Sequence, residues 1–130
     1  MRTLFLLALT ASTLTAGMLA AVPAHAQRIS PMTAEKFGKI CTSNSGGAIC
    51  DAYISGIADA GALAHLNDKA EGDASAVSGF CVPDSASTVS IRGHVVSWLR
   101  AHRDVWDQPV GKGVFAALHD SYPCASGGSK

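Results

Sequence analysis

Four cysteines constrain the fold of this chain more than any other feature. They are Cys41, Cys50, Cys81 and Cys124, and all of them follow an N-terminus that resembles an export signal. An even number of cysteines in a small exported domain predicts two disulfide bonds. Zinc binding is the competing interpretation, but the spacings contain no C-x-x-C pair, which structural zinc sites commonly use. We therefore expect two bridges.

The N-terminus has the three parts of a secretory signal peptide. Arg2 supplies the positive charge, Leu4–Leu9 and Met18–Val22 supply apolar runs, and Ala24–Ala26 is an A-x-A cleavage site. The sequence thus predicts a signal peptide over residues 1–26, cleaved after Ala26, and export to the periplasm. Residues 27–130 are then expected to form a single domain, with no later run apolar enough to cross a membrane.

The charge balance is close to neutral. Ten Lys and Arg residues face ten Asp and Glu residues, and Arg2 is the one basic residue within the predicted signal peptide. The mature chain then has a formal charge near −1, which does not favour nucleic acid or an anionic membrane as a partner.

Helical periodicity dominates the rest of the chain, and no segment alternates like a strand for more than a few residues. The predicted fold is all-α, a small four-helix domain held by two disulfides. A loop is expected at Asn67–Ser78 and a non-helical return at Gly79–Pro83. The predicted helices are Thr33–Cys41 with Thr33 as N-cap, the central Cys50–Leu66, about Ser85–His102 capped by Asp84 or Ser85, and a fourth from Pro109 with Asp107 as N-cap.

Two disulfide schemes are compatible with these helices. Cys41–Cys50 with Cys81–Cys124 is preferred, since the second bridge joins the start of the third helix to the end of the fourth if the two run antiparallel. Cys50–Cys81 with Cys41–Cys124 is the alternative. Loop entropies differ by only about 1 kcal/mol per bridge between the schemes, so geometry has to decide.

The sequence contains no recognisable catalytic or metal-binding pattern. His65, His94, His102 and His119 form no H-x-x-x-H or H-E-x-x-H pair. A cysteine nucleophile would need an unpaired thiol, and two disulfides leave none. The prediction is a protein without catalytic residues, metal or cofactor.

One short connection is unusual, because it places a tryptophan among charged residues between two helices. A tryptophan there either folds back into the core or serves as an apolar anchor for a partner. Both alternatives stay open, and the partner-binding prediction takes the second, with Trp106 as the anchor and polar groups around it. The predicted partner-binding residues are Arg103, Asp104, Trp106, Asp107 and Gln108.

Several blocks together resemble a known family. They are CDAYISGIADA at Cys50–Ala60, FCVP at Phe80–Pro83, VVSWLRAH at Val95–His102 and ALHDSYPC at Ala117–Cys124. From Thr33 to Cys124 the chain is similar to the Rap/Tai immunity proteins.

This resemblance implies a periplasmic helical protein that neutralises a peptidoglycan amidase delivered by type VI secretion. It also implies a homodimer, and it places the toxin contact in the connection between the last two helices. Many relatives carry His-Pro after the third helix, whereas this chain has His102-Arg103 and its proline at Pro109.

Two functions of different class follow from the sequence. The first is immunity by steric occlusion of an amidase active site, which requires no chemistry. The second is a periplasmic stress protein or acid chaperone of the HdeA type, which would act through titrating carboxylates and histidines. The ten acidic residues and near-neutral balance favour the first. A hydrolase is third, because no nucleophile is found.

Overall fold

The computed structural model describes residues 28–125, and the predicted signal peptide lies outside this range. Within it the chain forms four α-helices and one turn of 3-10 helix at Arg103–Val105. Residues 28–125 contain no β-strand, and their β-type pairing is limited to an isolated antiparallel bridge between Thr33 and Pro109. The all-α prediction is therefore confirmed. The helices are α1 at Ala34–Thr42, α2 at Gly47–Ala70, α3 at Thr88–Ala101 and α4 at Val110–Ser121.

Hydroxyl side chains cap the first and third helices. Thr33 accepts a hydrogen bond from the Lys36 amide, as predicted, and Ser87 does the same for the Ser90 amide. Such caps pair one of the amides that a helix start leaves free. The predicted cap of α3 at Asp84 or Ser85 was wrong, because residues 84 and 85 belong to a turn in which the Ala86 amide bonds to the Pro83 carbonyl at 2.9 Å.

The central helix is longer than predicted at both ends. It begins at Gly47 rather than Cys50 and continues through the first part of the predicted loop. The side-chain amide of Asn67 donates to the Glu71 carboxylate at 3.0 Å, one turn further on, which supports the last turn. The helix ends at Ala70, and two residues later Gly72 has a φ of 93°, in the left-handed region that glycine tolerates.

The start of α4 also differs from the prediction. Pro109 is its N-cap, and Asp107 lies in the preceding connection. The amide of Val110 bonds instead to the Met32 carbonyl at 2.8 Å, so a residue ahead of α1 provides the acceptor. A long-range backbone contact thus replaces the local side-chain cap that the sequence suggested.

The core lies where the four helices and the returning segment meet. Aromatic pairs fill it, with the Phe37 and Tyr53 ring centroids 5.0 Å apart. Trp98 lies partly buried at its edge, and its indole donates to the Asp120 carboxylate at 2.8 Å. The buried hydrophobic residues are Ala34, Phe37, Cys41, Cys50, Ile54, Phe80, Val95, Leu99, Val110, Val114, Ala117 and Leu118.

The segment at Gly79–Pro83 is non-helical, as predicted, and returns an aromatic ring to the core. Phe80 packs over Gly61 of α2, where a β-carbon would lie 2.7 Å from the ring. The ring also meets Phe115 of α4 edge-on at 5.3 Å. Gly61 therefore leaves the space on α2 that the Phe80 ring occupies.

Both disulfides follow the preferred scheme, and the alternative pairing is wrong. Cys41–Cys50 links α1 to α2 with its Cα atoms 5.1 Å apart, and Cys81–Cys124 links the start and end of the α3–α4 unit at 4.9 Å. Both spacings are ordinary for disulfides. The Cys81 amide also bonds to the Tyr122 carbonyl at 2.8 Å, so the backbone brings the second pair together.

One ion pair joins the central helix to the third. Arg92 donates to the Asp51 carboxylate at 2.8 Å, and both side chains are about a quarter exposed. Across residues 28–125, none of the helices has the length and apolar character needed to traverse a lipid bilayer.

Candidate partner-binding surface

The connection between α3 and α4, residues Arg103–Gln108, is named the connector here. It is ordered by its own backbone hydrogen bonds. After His102 ends α3, the Trp106 amide bonds to the Arg103 carbonyl at 3.2 Å and the Gln108 amide to the Val105 carbonyl at 3.0 Å. The connector therefore consists of consecutive tight turns with a defined backbone path.

The connector also supplies carbonyl acceptors to the start of α1. The Ala34 amide bonds to the Gln108 carbonyl at 2.9 Å, and the Glu35 amide bonds to the Trp106 carbonyl at 3.0 Å. A helix leaves its first amides without partners inside the helix. Since the connector pairs two of them, its backbone is fixed to α1 as well as to α3 and α4.

Trp106 is half-buried, and its position lies between the two alternatives that the sequence left open. Its indole N–H donates to the Leu99 carbonyl at 2.7 Å, near the end of α3. The guanidinium carbon of Arg103 lies 5.0 Å from the ring centroid, within the range of a cation–π contact. One edge of the indole is thus held by the fold, while part of the side chain stays accessible.

The charged residues of the connector point to solvent. Arg103, Asp104 and Asp107 are exposed, whereas Gln108 is half-buried. The side-chain amide of Gln108 donates to the Asp107 carboxylate at 3.2 Å. The structure therefore places the predicted partner-binding residues together on one ordered segment, with an anchored aromatic ring and exposed charges beside it.

A groove next to the connector was not predicted from the sequence. It lies between α1 and α3, with Trp106 at one end and a volume of about 150 Å³. The only hint in the sequence is a glycine inside the first predicted helix. The lining includes Gly38 and Lys39 from α1, Val96, Leu99 and Arg100 from α3, and Trp106.

The four histidines of the described range do not converge on a common site. His102 stacks on Trp98 with ring centroids 3.9 Å apart, His94 meets the Tyr122 ring edge-on, and His119 bonds to the Gly79 carbonyl. Over residues 28–125 no three His, Cys, Asp or Glu side chains group as metal ligands would, and the four cysteines there are paired.

The fold and the connector define the class of protein. It is a small disulfide-bonded helical domain with an ordered surface turn that carries a tryptophan and exposed charged residues. Comparison with family models identifies the family. The model of the Rap1a immunity proteins matches residues 33–124, and the chain belongs to that family. The match covers α1 through α4 and both disulfides. Neither the search of curated proteins nor that of solved structures found a match.

Proposed function

We propose that this protein is exported to the periplasm and neutralises a peptidoglycan amidase toxin by binding it and blocking its active site. The observation that carries the proposal is the family match over residues 33–124, since immunity proteins act on a cognate toxin. The proposal includes a cleaved signal peptide over residues 1–26 and a single domain over residues 27–130. Action by binding, without catalysis, is part of the same proposal.

The connector is the proposed contact surface for the toxin. Its backbone is held by hydrogen bonds to α1, so little conformational entropy is lost when it binds. Trp106 combines a fixed indole with accessible surface, and tryptophan is enriched among the residues that dominate binding energy. Asp104 and Asp107, both exposed, then contribute to the charged rim of the interface.

The test uses peptidoglycan amidases, beginning with any whose genes neighbour this gene. Each purified amidase is mixed with the protein exported and purified from a bacterial host, and hydrolysis of peptidoglycan is followed. We expect equimolar protein to abolish the activity of the cognate enzyme. If none of these amidases is bound or inhibited, the proposed function is wrong.

Substitutions then test the contact surface. Trp106→Ala removes the proposed anchor and should weaken binding by roughly thirtyfold, corresponding to about 2 kcal/mol. It also removes the bond to Leu99, so affinity is measured well below the melting transition and compared with Trp106→Phe, which retains an aromatic ring. Charge reversal at Asp104 and Asp107 should slow association, whereas reversal at the exposed Asp59 on α2 should not.

A homodimer is also part of the proposal. Leu63 and Leu66 on the second half of α2 are 65% and 61% exposed, and Val89 at the start of α3 is 64% exposed. Exposed apolar side chains of this kind are common at subunit interfaces. Light scattering coupled to gel filtration decides between a monomer and a dimer.

A further inference from the structure

The groove between α1 and α3 has the size of one large apolar side chain. Its volume is about 150 Å³, and Val96 and Leu99 form part of its wall. An apolar cavity of about this volume accommodates a benzene ring. Leu99 is buried in the core, so this wall is a fixed part of the fold.

Gly38 keeps the groove open. It lies inside α1, where glycine is less favourable than alanine. Its φ is not positive, since Gly72 is the residue of the described range with that geometry. A β-carbon built at Gly38 would meet no atom within 4 Å. The packing of residues 28–125 therefore leaves free space beside Gly38, as it does beside Gly56 and Gly93, but of these three glycines only Gly38 lines the groove.

The rim of the groove carries an available positive charge. Lys39 is already paired with Glu35 at 2.8 Å, one turn back on α1. Arg100 is exposed and forms no ion pair with any residue between 28 and 125. A guanidinium binds a carboxylate through two parallel hydrogen bonds. The groove thus combines an apolar wall with Arg100, unpaired among the described residues, on the α3 side, while the paired Glu35 and Lys39 line its α1 side.

We propose that this groove receives a phenylalanine- or leucine-sized side chain of a bound protein, with a neighbouring carboxylate of that protein paired to Arg100. The inference rests on the proposed function, because it assumes that the partner is a protein. It gives Trp106 a second role as one wall of an acceptor site. The partner then inserts a side chain into this protein at the edge of the connector.

Short peptides test the groove without the toxin. The ¹⁵N-labelled protein, purified after export, is titrated with acetyl-Phe-Asp-amide and followed by NMR. We expect shifts at the amides of Gly38, Lys39 and Arg100 and at the Trp106 indole, with a dissociation constant of the order of 1 mM. The matched peptides acetyl-Phe-Lys-amide and acetyl-Ala-Asp-amide should each bind at least about threefold more weakly.

Two glycine variants provide the matched comparison. Gly38→Leu fills the groove and should abolish the shifts. Gly56→Leu places the same side chain at an exposed position on α2, where a β-carbon also meets nothing within 4 Å, and should leave them unchanged. Both variants are checked for an unaltered circular dichroism spectrum and cooperative melting. Shifts located elsewhere, or equal binding by Gly38→Leu, would overturn the inference.

The cognate amidase separates this inference from the proposed function. If an amidase binds the native protein and Gly38→Leu equally well, the groove is not an acceptor site, although the immunity proposal stands. If Gly38→Leu binds at least about tenfold more weakly while Gly56→Leu does not, the groove is confirmed. If no amidase binds at all, the proposed function fails on its own.

Discussion

Replacing Gly113 by alanine tests how tightly α1, α3 and α4 are packed. Gly113 is buried on α4, and a β-carbon there would lie 2.9 Å from the Ala34 β-carbon and 3.3 Å from Cδ2 of Leu99. Favourable contacts between carbon atoms lie at about 3.5–4.0 Å. The leucine methyl can rotate away, but the alanine β-carbon is attached directly to the backbone of α1. Relief therefore requires α1 and α4 to separate.

The size of the effect follows from comparison with Gly38→Ala. Both changes replace glycine inside a helix, and each gains about 1 kcal/mol of helix propensity. At Gly38 the new methyl meets nothing, so the gain should appear in full. At Gly113 overpacking costs about 1–3 kcal/mol. Because the helix term is common to both, the difference between the variants measures the overpacking, about 2 kcal/mol.

Urea unfolding, followed by circular dichroism, measures both free energies of unfolding. A difference of about 2 kcal/mol corresponds to roughly 8–16 °C in melting temperature for a domain of this size. Gly38→Ala should be more stable than the native protein, and Gly113→Ala should be less stable than Gly38→Ala by this amount. Equal stabilities would show that α1 moves easily away from α4, and a connector bonded to α1 would then not be rigidly held.

Two further predictions concern a disulfide and a tyrosine. Cys81 is exposed, so mild reductant should open Cys81–Cys124 before the buried Cys41–Cys50, as mapped by alkylation and mass spectrometry. Replacing both Cys81 and Cys124 by alanine should lower the free energy of unfolding by about 4 kcal/mol, because the bridge spans 43 residues. Burial raises the pKa of the Tyr53 phenol in the folded protein above 10.0, its value in the unfolded chain. The stability that the neutral phenol contributes should therefore be complete below pH 10 and be lost as the pH rises through the higher pKa of the folded state. Tyr53→Phe should remove that loss in denaturant titrations between neutral and alkaline pH, and an unchanged alkaline profile would contradict the assignment.

The helices that the sequence predicted correctly depend on local signals. Thr33 caps α1 through a bond within one turn, and such a bond can be inferred from neighbouring residues. The start of α3 was placed too early because Asp84, Ser85 and Ser87 are all good caps, and a turn bonded to Pro83 selects the last. Neighbouring residues alone do not decide between equivalent caps.

The candidate site shows the same division between local and distant contacts. The connector was identified because a tryptophan among charges is visible in the sequence. The bond from its indole to Leu99 and the groove beside Gly38 were not, since they depend on the packing of α1 against α3. Similarly, the acceptor for the first amide of α4, that of Val110, is the carbonyl of Met32, far away in the sequence. Contacts of this kind become visible only in three dimensions.

The hydrogen bonds between α1 and the connector also constrain the order in which the chain folds. Ala34 and Glu35 come early in the chain, whereas their acceptors at Trp106 and Gln108 come near its end. A chain that emerges from its N-terminus exposes α1 long before these acceptors exist, and a nine-residue helix is marginal by itself. We therefore expect α1 to become stable last, and α1 should be frayed in a chain truncated before residue 106.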